Sequence, residues 1–112
     1  MPEPPERSAA AYRVRMSRGR RTLVSDVDGT LLDGRLPGEG AAELGARLVA
    51  ADAALVLCSG RSLELALAAA ETLSAAGLPW PSALVCGVGT EVHLWDGSRY
   101  QPDEGWRRRL AA

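Results

Sequence analysis

With 112 residues, 46% of them apolar and 24% charged, the chain has the make-up of one globular domain, which excludes a fully disordered, collagen-like or coiled-coil protein. Its net charge of -1 gives no overall pull toward nucleic acid or an acidic membrane surface, and it lacks the run of ~18 apolar residues that a membrane span needs. All 13 basic residues are arginine; the absence of lysine bears on the chemistry below.

Residues 1–21 read as a basic, disordered tail. Met1 to Ala11 is rich in Pro, Glu and Ala with no periodic apolar face. Arg13, Arg15, Arg18, Arg20 and Arg21 then crowd together without an interleaved aromatic residue. That run reads as a solvated lead-in, or as residues ahead of a start at Met16, rather than as a nucleic-acid arm. No apolar h-region of a signal peptide follows it.

From Thr22 onward strand and helix patterns alternate. Thr22 to Ser25 is a short β-branched and apolar run ended by Asp26, and a polar, Gly-rich stretch follows from Asp28 to Gly40. Leu44, Leu48 and Ala51 recur at helical spacing. Ala53 to Cys58 is a continuous apolar run that predicts a strand buried on both faces. Ser62 to Ala76 reads as a helix with Leu63, Leu67, Ala70 and Leu73 on its inner face, stopped by Gly77 and Pro79. Ser82 to Cys86 predicts a third strand. Glu91–Trp95 and Ser98–Tyr100 flank Asp96-Gly97, which predicts a hairpin with a two-residue type I′ turn. A last short helix is expected from near Asp103 to Leu110. Cys58 and Cys86 end apolar runs and read as buried free thiols, consistent with a reducing, cytoplasmic setting.

This order is the pattern of an α/β fold with a parallel sheet, flanking helices and an added hairpin. Ligand sites in such sheets lie beyond the carboxyl ends of the strands, so three stretches are candidates. In Asp26-Val27-Asp28-Gly29-Thr30, two carboxylates meet where a strand gives way to a Gly turn. Such a pair suits a hard cation such as magnesium. One carboxylate there can attack phosphorus and another carboxyl can move protons, with Thr30 orienting one of them; an Asx turn alone is the alternative. In Ser59-Gly60-Arg61-Ser62, a hydroxyl and backbone N–H groups at a helix head form a phosphate cradle. An ordinary helix cap at Ser59 or Ser62 is the competing explanation. Arg61 is placed either to reach a phosphate or to sit on the helix-end surface. Gly87-Val88-Gly89-Thr90 allows close backbone approach to a site, or simply turns the chain into the hairpin.

Asp26-Val27-Asp28-Gly29-Thr30-Leu31-Leu32 resembles the first motif of the haloacid dehalogenase superfamily, and Cys58-Ser59-Gly60-Arg61-Ser62 is similar to its second. Val88-Gly89-Thr90-Glu91-Val92, followed by Pro102-Asp103-Glu104-Gly105-Trp106, resembles the sucrose-phosphate phosphatase family. The resemblance covers about Arg21 to Leu110. It implies a Rossmann-like core and a magnesium-dependent phosphatase acting on a phosphorylated sugar or another small phosphomonoester. Asp26 is then the nucleophile and Asp28 the general acid/base. Ser59 binds the phosphoryl group with Thr30, Gly60 and Arg61 around it, and Asp26 and the Asp28 carbonyl ligate magnesium. Neither a nucleic acid nor a membrane is implied as a partner.

Members of that family carry two further motifs after a cap domain, one supplying a lysine or arginine and one supplying acidic metal ligands. Neither is present before Ala112, and Arg107, Arg108, Arg109, Asp103 and Glu104 stand in a different context. The expectation is therefore a core truncated before its cap and last strands. Its first strand becomes a sheet edge open to self-association, and the competing reading is a non-catalytic domain that binds phosphate, metal or a partner. His93 is expected at a partly exposed hairpin position, and Trp80, Trp95 and Trp106 as hydrophobic anchors.

Overall fold

A computed structural model of the chain describes residues 21–34 and 36–111. The basic tail expected over residues 1–21 lies, Arg21 apart, outside the described residues. The described elements are β1 (Thr22–Asp26), β2 (Leu32–Asp33), β3 (Leu36–Pro37), α1 (Ala41–Ala50), β4 (Ala54–Cys58), α2 (Leu63–Ala75), β5 (Ala83–Cys86), β6 (Glu91–Trp95), β7 (Tyr100–Pro102) and α3 (Glu104–Ala111). A three-residue 3-10 turn, Gly87–Gly89, separates β5 from β6.

Five strands form one sheet in the order β1-β4-β5-β6-β7, while β2 and β3 pair in a small antiparallel ribbon. The β1–β4 and β4–β5 pairs are parallel, and the β5–β6 and β6–β7 pairs antiparallel. The hairpin thus continues the main sheet, which is mixed, instead of standing apart from it. Among the described residues the first strand lies at the margin of this sheet.

Both crossovers, β1-α1-β4 and β4-α2-β5, step the same way along the sheet. Right-handed connections of that kind bring both helices to the same face. Leu48 and Ala41 of α1, and Ala66, Ala69, Ala70 and Leu73 of α2, accordingly share one core cluster with Leu55, Leu57 and Leu84. The alternate residues of the strands are less covered: Val56 and Val85 are half-buried and Val24 is 59% exposed. The strand expected to be buried on both faces is therefore fully buried on one. Its apolar run did not betray this, because Val56 and Cys58 are apolar on the lightly covered side too.

Helix α2 begins where the sequence places it. The Ser62 hydroxyl accepts a hydrogen bond from the Leu65 N–H, and Gly77, at φ 110°, ends the helix. Its fully buried face is Ala66, Ala69, Ala70 and Leu73, with the expected Leu63 and Leu67 only half-buried. Alanines at the centre let the helix axis approach the sheet, and the longer leucines fall to the rim of the contact. Helix α1 approaches just as closely through Gly45, where a β-carbon would overlap the Gly77 carbonyl oxygen. Ala51, read as part of that helix, is its C-cap.

The hairpin turn is wider than the two-residue turn expected. The Asp96 N–H donates to the Arg99 carbonyl across a four-residue loop, and Asp96 Oδ1 accepts from the N–H groups of Ser98 (2.8 Å) and Arg99 (2.9 Å). That side chain supplies the acceptor that closes an Asx-type turn, so the strand after it begins at Tyr100 and not at Ser98.

Candidate active site at the strand ends

The turn after β1 is held from below. Val27 is buried, and its carbonyl accepts from the N–H groups of Thr30 (3.3 Å), Leu31 (3.0 Å) and Leu32 (2.9 Å). Leu31 and Leu32 are buried beside it. With the backbone tied to Val27 and those two leucines in the core, Asp26 and Asp28 on either side of Val27 are both exposed. Gly29, at φ 74°, makes the reversal that a side chain would strain. The Thr30 hydroxyl donates to Asp26 Oδ2 at 3.3 Å.

The parallel register sets Asp26 beside Cys58, so the stretch after β4 starts level with the end of β1. Ser59 is 7% exposed, and its Oγ accepts from the Arg61 N–H at 3.0 Å. Since Ser62 caps α2, the cap explanation is used up there and does not account for Ser59. Arg61 does not lie free on the helix-end surface. Its Nε donates to Asp28 Oδ2 at 3.0 Å and its Nη2 to Asp28 Oδ1, a bidentate pair joining residues 33 positions apart. Both residues stand in recognisable motifs, but their partnership has no local signal beyond the rule that adjacent parallel strands bring their following loops together.

The third stretch comes in as well. The Gly87 N–H donates to the Arg61 carbonyl at 2.9 Å, so the loops after β4 and β5 are bonded to each other. Gly87, Val88 and Gly89 all have left-handed backbones, at φ 57°, 56° and 83°. Two glycines take that conformation freely; Val88, β-branched and 85% exposed, takes it under strain. The Trp106 indole N–H donates to the Gly89 carbonyl at 2.9 Å, tying α3 to this loop. The other two tryptophans serve packing: Trp80 and Trp95 meet edge-on with ring centroids 5.6 Å apart, and Tyr100 lies 5.0 Å from Trp95.

Two side chains differ from expectation. Cys58 is only half-buried, while Cys86 is fully buried. Both thiols are pushed above their ordinary range, chiefly by burial and further by a neighbouring carboxylate, Asp26 for Cys58 and Glu91 for Cys86. Protonated thiols of this kind are poor nucleophiles and poor metal ligands. His93 is buried at 7% exposure, with Nε2 3.0 Å from Glu91 Oε1. It pairs across the strands with the buried Leu84, so extension of the main sheet into β6 covers a position that a separate hairpin would expose. A cavity of about 340 Å³ lined by Glu91, His93, Asp103 and Trp106 lies beside β6 and does not include Asp26 or Asp28.

As metal donors, the Asp26 carboxylate and the Asp28 backbone carbonyl are hard oxygens of the kind magnesium takes. They fit that ion in type. Among the described residues no group of three His, Cys, Asp or Glu side chains able to hold a metal forms.

The sequence profile of the sucrose-6F-phosphate phosphohydrolase family matches residues 19–112. The chain belongs to this family. No curated protein is detectably similar in sequence. Among solved structures, a haloacid dehalogenase-like hydrolase from Bacillus subtilis is 16% identical, with a TM-score of 0.56 over 91% of this chain and 47% of that one. A hypothetical protein from Geobacillus kaustophilus is 23% identical, with a TM-score of 0.55 over 83% of this chain and 35% of its own. A Bacteroides thetaiotaomicron protein described among phosphatases of the haloalkanoate (HAD) superfamily is 21% identical, with a TM-score of 0.53 over 84% and 36%. These likenesses establish the haloacid dehalogenase-like, Rossmann-like fold. The sucrose-phosphate phosphohydrolase-family chain described here spans less than half the length of each of these three structures. No helix among its described residues is long and apolar enough to cross a membrane.

Proposed function

We propose that this strand-end site carries out magnesium-dependent phosphomonoester hydrolysis through an aspartyl-phosphate, on a phosphorylated sugar of the kind in the family's name. The observation that carries the reading is the convergence of two exposed carboxylates, Asp26 and Asp28, with Ser59, Gly60 and Arg61 at the ends of adjacent parallel strands. A bare Asx turn after β1 gives no reason for an arginine 33 positions away to meet it.

In this reading an Asp26 oxygen attacks phosphorus, the O–P bond forms, and the ester P–O bond breaks as its oxygen takes a proton from Asp28. Water then attacks the phosphoryl group, Asp28 takes the water's proton, and the Asp26 O–P bond breaks to release inorganic phosphate. Thr30 orients Asp26. The Ser59 hydroxyl, the Gly60 backbone and Arg61 hold the phosphoryl oxygens. The Asp26 carboxylate and the Asp28 carbonyl would hold magnesium, whose chemistry would be to neutralise charge on the phosphoryl group.

A non-catalytic phosphate-binding domain is the second reading, favoured by the pairing of Arg61 with a carboxylate. Trapping separates the two. The full chain is mixed with magnesium and a phosphoryl donor bearing a good leaving group, quenched in acid, and its peptides weighed. A phosphoryl group on Asp26, accumulating further in Asp28→Asn, is expected for the hydrolase; binding without any adduct supports the second reading.

A further inference from the structure

We propose that Arg61 is shared between Asp28 and the phosphoryl group, so that phosphate binding is what frees Asp28 for proton transfer; this rests on the phosphatase reading above. The guanidinium of Arg61 grips both carboxylate oxygens of Asp28, through Nε and Nη2. In that fork both Asp28 carboxylate oxygens are already engaged by the guanidinium. The Arg61 backbone, in contrast, is pinned on both sides. Its N–H donates to Ser59 Oγ at 3.0 Å, and its carbonyl accepts from the Gly87 N–H at 2.9 Å. A change of partner by the side chain therefore leaves the phosphate cradle beneath it in place.

The balance favours a switch over a fixed pair. The Arg61 and Asp28 side chains are 32% and 50% exposed, and ion pairs open to water hold weakly. A phosphate dianion offers the guanidinium the same planar pair of acceptor oxygens as a carboxylate, with more charge. Phosphate seated on Ser59 and Gly60, the two residues before Arg61, competes for it on better terms than Asp28. An unphosphorylated sugar carries no such anion and leaves the pair closed. Arg61 thereby links recognition of the phosphoryl group to the readiness of the acid/base.

The test is inorganic phosphate titrated into the full chain, followed by the ¹⁵N resonance of the Arg61 side-chain Nε–H. Wild type, Asp28→Asn, Arg61→Ala and the double variant are compared, with Arg61→Lys as a further variant that keeps the charge but loses the fork. Phosphate is expected to shift the Arg61 resonance in wild type. Asp28→Asn is expected to tighten phosphate binding about two- to five-fold more when Arg61 is present than when it is alanine, the range for an exposed ion pair. In Arg61→Lys that excess is expected to shrink. Equal tightening in both backgrounds with the Arg61 resonance unmoved overturns the shared-arginine proposal and leaves the phosphate site standing. Absence of phosphate binding in every variant overturns the phosphatase reading of the site and the proposal with it.

Discussion

Val88 shows how one residue in the site's loops is held against its own preference. A β-branched residue in the left-handed region costs roughly 1–2 kcal/mol, and Val88 is exposed, so little packing offsets that cost. Asn tolerates the same backbone without the entropy that glycine adds to the unfolded chain. Val88→Asn is expected to raise stability by about 0.5–1 kcal/mol, read as a shift of the urea midpoint at unchanged slope. A loss would mean that the Val88 side chain makes contacts worth more than the strain. Residues such as Asp26, Asp28, Ser59 and Arg61 were legible in the sequence because short motifs mark them. The Arg61–Asp28 bond was not, since it depends on the register of two strands that no local pattern encodes. The same holds for His93, which is buried on a strand paired in register with Leu84 of its neighbour.

The elements were read well where the signal is local. The Ser62 cap and the Gly77 stop bracket α2 within a residue of expectation, because both act through backbone groups a few positions away. The faces of the helices were read less well, since packing distance and not hydrophobicity chose alanine over leucine at the contact. Gly45 is the sharpest case. Nothing in the sequence marks it, yet it is where α1 meets the Gly77 carbonyl. Gly45→Ala, which by helix propensity alone should stabilise α1 by ~1 kcal/mol, is instead expected to destabilise the domain by about 1–3 kcal/mol through overpacking. Thermal unfolding checks the sign.

The β6–β7 turn makes a separate prediction. Hydrogen bonds from Arg99, Gln101 and Ser98 hold the Asp96 carboxyl below its ordinary value of 3.8. A carboxyl lowered on folding contributes stability that is fully present above the unfolded value and lost as pH falls through the folded one. The amide resonances of Ser98 and Arg99 are therefore expected to stay fixed down to about pH 4 and to move only below it. In Asp96→Asn that acid step should vanish. A step centred above the ordinary carboxylate range would contradict the turn as described.

At the scale of the whole molecule, the sheet advances in one direction from β1, and the motif sits at the end of that marginal strand. The parallel order was legible because strand, helix, strand, helix, strand admits few right-handed arrangements. The continuation of the sheet through β6 and β7 was not, since a hairpin signature says nothing about what its outer edge pairs with. The chain covers 35–47% of the three solved structures named above. Whether these residues alone complete a working site is thus a question about the molecule as a whole.

Phosphate release from an aryl phosphate by the purified chain, with and without magnesium and beside Asp26→Asn, answers it most directly. The expected result is magnesium-dependent turnover that Asp26→Asn abolishes, with Asp28→Asn slower by about 10²–10⁴-fold for loss of the acid/base. A folded chain that releases no phosphate under any of these conditions, or one whose turnover survives Asp26→Asn, would contradict the account.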